Sequence, residues 1–156
     1  MVELKQILYP SDFSEHSLAA LPYALELCRR FDARLHVLHV VDDAYQYWMA
    51  SGEGTVPVVV SEEELLGSAR QQMTKFIDQH LAAEKQQIVT KLAVGKPFVE
   101  IIRYARNQSI DMIVIASHGH GALTSMLMGS VAEKVVRKSS CPVLTIRHGE
   151  HKFEMP

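Results

Sequence analysis

Five short aliphatic runs punctuate the chain: LKQILY at 4–9, RLHVLHVV at 34–41, QIVTKLAV at 87–94, DMIVIAS at 111–117 and PVLTIR at 142–147. Each predicts a strand. Between them, residues recur three and four apart: Leu18, Leu21, Leu25 and Cys28, then Leu66, Ala69, Met73, Phe76 and His80, then Phe98, Ile101, Ile102 and Ala105. That spacing predicts helices, and GSVAEKVVRK from Gly129 onward predicts a fourth. Ser61 and Glu64 have capping-box spacing, and Pro97 suits a first helical turn, where its missing N–H is no loss. Pro22 removes a hydrogen bond inside the first helix and is expected to kink it or delay its regular start.

Strand alternating with helix implies parallel neighbours, because parallel strands need crossover connections and these are almost always right-handed. The expected fold class is α/β: a single doubly wound domain over residues 1–148, followed by a short tail at 149–156. Its five-stranded parallel sheet is expected in the order 3-2-1-4-5, with helices on both faces. Ligands of such sheets bind outside the carboxyl ends of the strands, where the strand order reverses. Here that is between strands 1 and 4, which points to residues 10–13 and 116–130.

The composition, 47% hydrophobic and 22% charged with a net charge of -2, is that of an ordinary globular protein and implies no broad nucleic-acid surface. The start, MVELKQILYPSDFS, lacks the pattern of a signal peptide, and no apolar run approaches the roughly 20 residues of a membrane span. A cytoplasmic chain without membrane insertion is expected. The two cysteines, Cys28 and Cys141, suit a reducing compartment without a disulfide framework. One connection is unusually long, DDAYQYWMASGEGTVPVVV at 42–60, with Tyr45, Tyr47 and Trp48 together. It reads either as a lid or partner surface, or as cover for a sheet edge.

The stretch SHGHGALTSMLMGS, 117–130, follows strand 4 and leads into the last helix. Gly119, Gly121 and Gly129 permit close backbone approach and positive φ, so amides of this loop, with the helix amino end, can converge on a phosphate. The same residues also read as an ordinary connector, with Ser130 and Glu133 at capping-box spacing. A Walker loop is excluded for want of its G-K-[ST], and a dinucleotide fingerprint because Thr124 stands where its third glycine belongs. Metal binding finds little support. His36 and His39 fall on opposite faces of a strand, and His118 and His120 lack ligand-spaced companions. Ser117 beside His118 has no nucleophile elbow, and Arg137 and Lys138 suit a helix carboxyl end.

The segments ILYPSDFSEHSLAAL, LHVVD, AVGKP and IASHGHGALTSMLMGSVAEKVVRKSSCPVLTIR, in this order over nearly the whole chain, resemble the universal stress protein family. Its nucleotide-binding branch carries the pattern G-x-x-G-x9-G-[ST]. Here the second glycine is Gly119, nine residues run from 120 to 128, and Gly129 and Ser130 follow. The first position departs from the pattern, because it is Ala116. The resemblance implies that Asp12 sits by ribose or phosphates, that Pro10 and Val40 flank adenine, and that the backbones of Gly119, His120, Gly121, Gly129, Ser130 and Val131 hold ribose and phosphates. His120 occupies a position often basic in relatives, and a neutral imidazole attracts phosphate less than a cation does. The family tends to dimerise through its last strand, and pairing PVLTIR, 142–147, with its twin would cover an apolar edge.

The resemblance thus implies a homodimeric stress-response regulator that binds ATP or AMP, with Mg2+ on the phosphates near Asp12 as an option, and that serves an unknown protein partner. The alternatives are a nucleotide-free interaction module of the same fold, with Ala116 as the sign of a decayed site, and a slow ATPase or a protein that phosphorylates itself on Ser130. No lysine or arginine lies inside the expected cradle, so the chain is not read as primarily an enzyme.

Overall fold

The computed structural model describes residues 3–43, 61–84, 87–118 and 128–148. Its elements are β1 (Gln6–Pro10), α1 (Glu15–Leu18), α2 (Leu21–Phe31), β2 (Arg34–Val41), α3 (Glu62–His80), β3 (Ile88–Val94), α4 (Pro97–Asn107), β4 (Met112–Ala116), α5 (Ser130–Lys138) and β5 (Val143–Ile146). All four strand pairings are parallel, in the order β3-β2-β1-β4-β5 expected from the sequence.

Strand alternation divides the core in two. Ile7, Tyr9, Leu35, Val37, Val114 and Ala116 meet Leu21, Ala24, Leu25 and Cys28 of α2 and Met73 and Phe76 of α3. Leu8, Leu38, Ile113 and Ile115 face the other way, onto Ile101 and Ala105 of α4 and Ala132 and Val135 of α5. Both faces of the central strands are therefore buried, which is why their sequences are nearly continuous in apolar residues. The Asp111 carboxylate joins the starts of β1 and β4 by accepting the N–H groups of Lys5 and Gln6, each at 2.8 Å.

Local signals act as their chemistry requires. Pro22 does delay the first helix: a four-residue turn, α1, comes first, and α2 begins at Leu21 with Pro22 in its first turn. Ser61 and Glu64 form both bonds of the capping box, and Pro97 opens α4. The turn from β3 into α4 needs Gly95, whose φ is 142° and whose added Cβ would meet Glu100 at 3.1 Å. Ser130 differs from expectation. Gly129 is the N-cap of α5, Ser130 is its first helical residue with no capping side-chain bond, and Glu133 pairs with Arg137 at 3.0 Å. Ser130 thus stands one residue past the N-cap, where the Ser130–Glu133 spacing cannot form a capping box.

His36 and His39 take opposite faces. His36 is 3% exposed: its Nε2–H donates to Gln6 Oε1 at 2.7 Å, and its Nδ1 accepts the Tyr104 hydroxyl at 2.8 Å. This satisfies a neutral ring completely. Burial, helped by Arg34, pulls the His36 pKa below 6.5. A lowered folded-state pKa contributes stability that is present above the unfolded value and lost as pH falls through the folded one. Urea denaturation is therefore expected to show stability falling between pH 7 and pH 5, with His36→Gln flattening that slope. An unchanged slope in the variant would assign the acid sensitivity to other groups.

Candidate functional site

The strand order reverses at β1, which has β2 on one side and β4 on the other. Pro10 pairs with Leu38 and Leu8 with Ile113, so continuing both registers sets Asp12 level with Val40, and Ser11 level with Ala116. The carboxyl ends of β1, β2 and β4 thus form one rim. The entry to α5 joins it, because the Gly129 N–H donates to Ser117 O at 2.6 Å. Behind Val40, the Gly95 N–H donates to Val41 O at 3.0 Å and closes the rim.

The loop after β1 is held by hydroxyl groups whose directions follow from each having one proton. Tyr9 donates to Ser17 O at 3.0 Å, and Ser17 Oγ donates to Ser14 O at 2.8 Å. Ser17 has then spent its proton, so Ser11 Oγ is the donor in the 3.0 Å contact between their hydroxyls. Ser11 Oγ in turn accepts the Phe13 N–H at 3.1 Å. Ser14 caps α1 by accepting the Ser17 N–H at 3.1 Å, while its own N–H and hydroxyl donate to Asp12 Oδ1. This is an Asx turn followed by an N-cap, and it fixes the Asp12 carboxylate at the rim. Burial pushes the Tyr9 phenol up to about 12, so the network keeps its first donor at neutral pH.

β2 grips the same loop. Ser11 N–H donates to Leu38 O at 2.9 Å, and His39 Nδ1–H donates to Ser11 O at 2.8 Å. Between them, Phe13 adopts a left-handed φ of 61°, which costs a non-glycine residue about 1–2 kcal/mol. Its ring stacks on His39 with centroids 4.3 Å apart and meets Phe76 at 5.3 Å. Packing and the Ser11 bond offset that strain. None of Tyr9, Ser11, Ser14, Ser17 or His39 was among the sequence-expected site residues, although S-D-F-S carries the Asx-turn signal in plain view.

Of the expected residues, Pro10, Asp12, Val40, Ala116, Gly129, Ser130 and Val131 lie on or beside this rim. Gly119, His120 and Gly121 fall outside the described residues, as do residues 44–60 of the long connection. Ala116 ends β4 in ordinary strand conformation, and its methyl is buried in the core with Ile7 and Tyr9. The alanine therefore brings no backbone strain. Gly129 has a φ of -61°, so whatever need it meets is for space and not for positive φ. Cys28 and Cys141 are free thiols, and burial pushes Cys28 up to about 12. Among the described residues, no cluster of three metal-ligating side chains occurs, and no helix is long and apolar enough to cross a membrane.

A doubly wound α/β sheet with an ordered rim at its topological switch point is the architecture of a ligand-binding module. Residues 3–147 match the model of the universal stress protein family. Universal stress protein MJ0531 of Methanocaldococcus jannaschii is 32% identical over 143 residues, spanning 92% of this chain and 82% of that one. The solved structure of MJ0577 from the same organism superposes with a TM-score of 0.79 at 29% identity, over 96% of this chain and 100% of its own. A universal stress protein from Archaeoglobus fulgidus, solved in complex with dAMP, shares the fold with a TM-score of 0.63 at 21% identity, over 94% and 100% of the chains. The chain belongs to the universal stress protein family.

Replacing Tyr9 by Phe removes the first donor of the hydroxyl network and is expected to cost about 1 kcal/mol. A urea titration of Tyr9→Phe measures this. An unchanged midpoint would mean that the loop does not depend on the Tyr9 hydroxyl.

Proposed function

We propose that the chain binds an adenine nucleotide, ATP or AMP, at the carboxyl-end rim of β1, β2 and β4, and acts as a stress-response regulator. The observation that supports this reading is the register, in which Asp12 continues level with Val40 and its neighbour Ser11 level with Ala116, on the rim that the amino end of α5 joins. Pro10 and Val40 supply apolar walls for a base, and Asp12 a fixed carboxylate for ribose hydroxyls or for Mg2+ on the phosphates. The Ser130 and Val131 N–H groups lie at a helix amino end, where phosphate is favoured, and Gly129 before them leaves room for close approach. Gly119, His120 and Gly121 complete the cradle by resemblance. The relative solved with dAMP is in keeping with this ligand class.

A regulatory role is favoured over catalysis because the rim residues Pro10, Asp12, Val40, Gly129, Ser130 and Val131 include no lysine or arginine to stabilise a transferring phosphate. We further propose a cytoplasmic homodimer. β5 is an edge strand whose Leu144 and Ile146 lie against the core and whose outer ladder pairs with no strand among the described residues. Pairing it with a second copy covers that edge.

Calorimetry with ATP, ADP and AMP, with and without Mg2+, is expected to show binding below millimolar nucleotide. Gly129→Phe, tolerated by the backbone at φ -61°, is expected to weaken that binding at least tenfold while leaving the dimer intact. Absence of binding to the parent chain at millimolar nucleotide would reject the reading, and full affinity in the variant would move the phosphate site elsewhere.

A further inference from the structure

The two helix layers differ in charge. On α1, α2 and α3 carboxylates outnumber lysines and arginines, with Glu62, Glu63 and Glu64 together at the start of α3. On α4 and α5 the balance is reversed: Arg103, Arg106, Lys134, Arg137 and Lys138 stand against Glu100 and Glu133. A chain of net charge -2 therefore carries a locally basic face. Both glutamates of that face are taken, Glu100 by Arg103 at 2.6 Å and Glu133 by Arg137 at 3.0 Å. Among the described residues, no carboxylate pairs with Arg106, Lys134 or Lys138.

Helix geometry gathers these three cations along one groove. α4 and α5 each lead from a strand carboxyl end back to a strand amino end of the parallel sheet, so they lie side by side in the same direction, sharing Ile101, Ala105, Ala132 and Val135 in one core cluster. The Lys134 ammonium stands 5.0 Å from the centre of the Phe98 ring, which fixes the side that each helix turns to the other. Steps of four residues keep to that side: Phe98, Ile102 and Arg106 on α4, and Lys134 and Lys138 on α5. The groove therefore has a half-buried apolar floor, Phe98 and Ile102, between exposed cations. The helix carboxyl ends favour Arg106 and Lys138. Lys134 lies in mid-helix, and like charges four residues apart destabilise a helix, so the Lys134–Lys138 pair is a local cost that an anion laid in the groove offsets.

We propose that the groove between α4 and α5 docks a short acidic segment of a partner protein, whose carboxylates meet Arg106, Lys134 and Lys138 and whose apolar side chains reach Phe98 and Ile102. Charge complementarity and shape select this class of partner. A flat lipid surface does not reach a floor recessed between two helices. Duplex DNA, with a phosphate charge about every 1.7 Å, would also confront Glu100 and Glu133 and the net negative charge of the chain. A peptide places its carboxylates only where the cations are. The proposal does not rest on the nucleotide reading.

The test is fluorescence anisotropy of a labelled peptide of Glu-Glu-Leu repeats, at low salt and without nucleotide. It compares the parent chain with a groove variant, Arg106→Gln with Lys138→Gln, and a control, Arg70→Gln with Lys75→Gln on α3. All four residues are exposed, so the fold tolerates the changes, and both variants alter the net charge equally. The parent chain is expected to bind the peptide, and to bind it less tightly as salt rises. The groove variant is expected to bind about tenfold more weakly, and the control to stay within about twofold of the parent chain. No binding by the parent chain, or an equal loss in both variants, overturns the proposal. Tighter binding of a DNA duplex, or of vesicles containing phosphatidylserine, than of the peptide also overturns it, because it assigns the face to another class of partner.

Discussion

β1 is paired on both sides, to β2 and to β4, with every pairing parallel. The chain leaving its carboxyl end therefore emerges between two strands whose connections run to opposite faces of the sheet. Neither set of helices can cover that point, and the gap between them is where a ligand can enter. The proposed nucleotide site depends on keeping this opening in shape. The loop that lines it is accordingly the most heavily bonded irregular segment described. Tyr9, Ser11, Ser14 and Ser17 spend their hydroxyl protons on it, while Leu38 and His39 hold its backbone from β2.

That loop also contains a strained residue. Phe13 at φ 61° is a conformation that an isolated chain would avoid. It persists because its ring is clamped between His39 and Phe76, and because its N–H has a buried acceptor in Ser11. Phe76 belongs to α3 and His39 to β2, so two other elements hold the ring in place. The position of Asp12, one residue earlier, thus follows from packing on two other elements as well as from the local Asx turn. The result is a carboxylate preorganised before any ligand arrives, which reduces the ordering cost of binding.

Much of this was legible in the sequence because it depended on periodicity and on residues with strong local preferences. The aliphatic runs marked five strands, their alternation with helices marked the parallel pairing, and Pro22, Pro97 and Ser61 marked helix starts through their own chemistry. Rim residues such as Asp12 and Val40 were reached through resemblance, and strand register then set them level. What stayed hidden was relational. Ser130 and Glu133 had the right spacing for a capping box, but the helix began one residue earlier than that motif requires. The hydroxyl network needs the α1 turn to fold back over Tyr9, which no spacing rule encodes. The bond from Ser117 N–H to Ile146 O forms only because β5 lies beside β4. Ala116, which looked like a defect, is an ordinary strand residue with a buried methyl group.

The central claim is that the rim at the switch point is where an adenine nucleotide sits. Titrating the protein with AMP while following its backbone amide NMR shifts tests this most directly. The account predicts that the largest changes fall on Asp12, Val40, Gly129, Ser130 and Val131, with little change at Asp32, Ser109 and Asp111 on the opposite rim. Changes centred on that opposite rim or along α3, or none at saturating nucleotide, would contradict it.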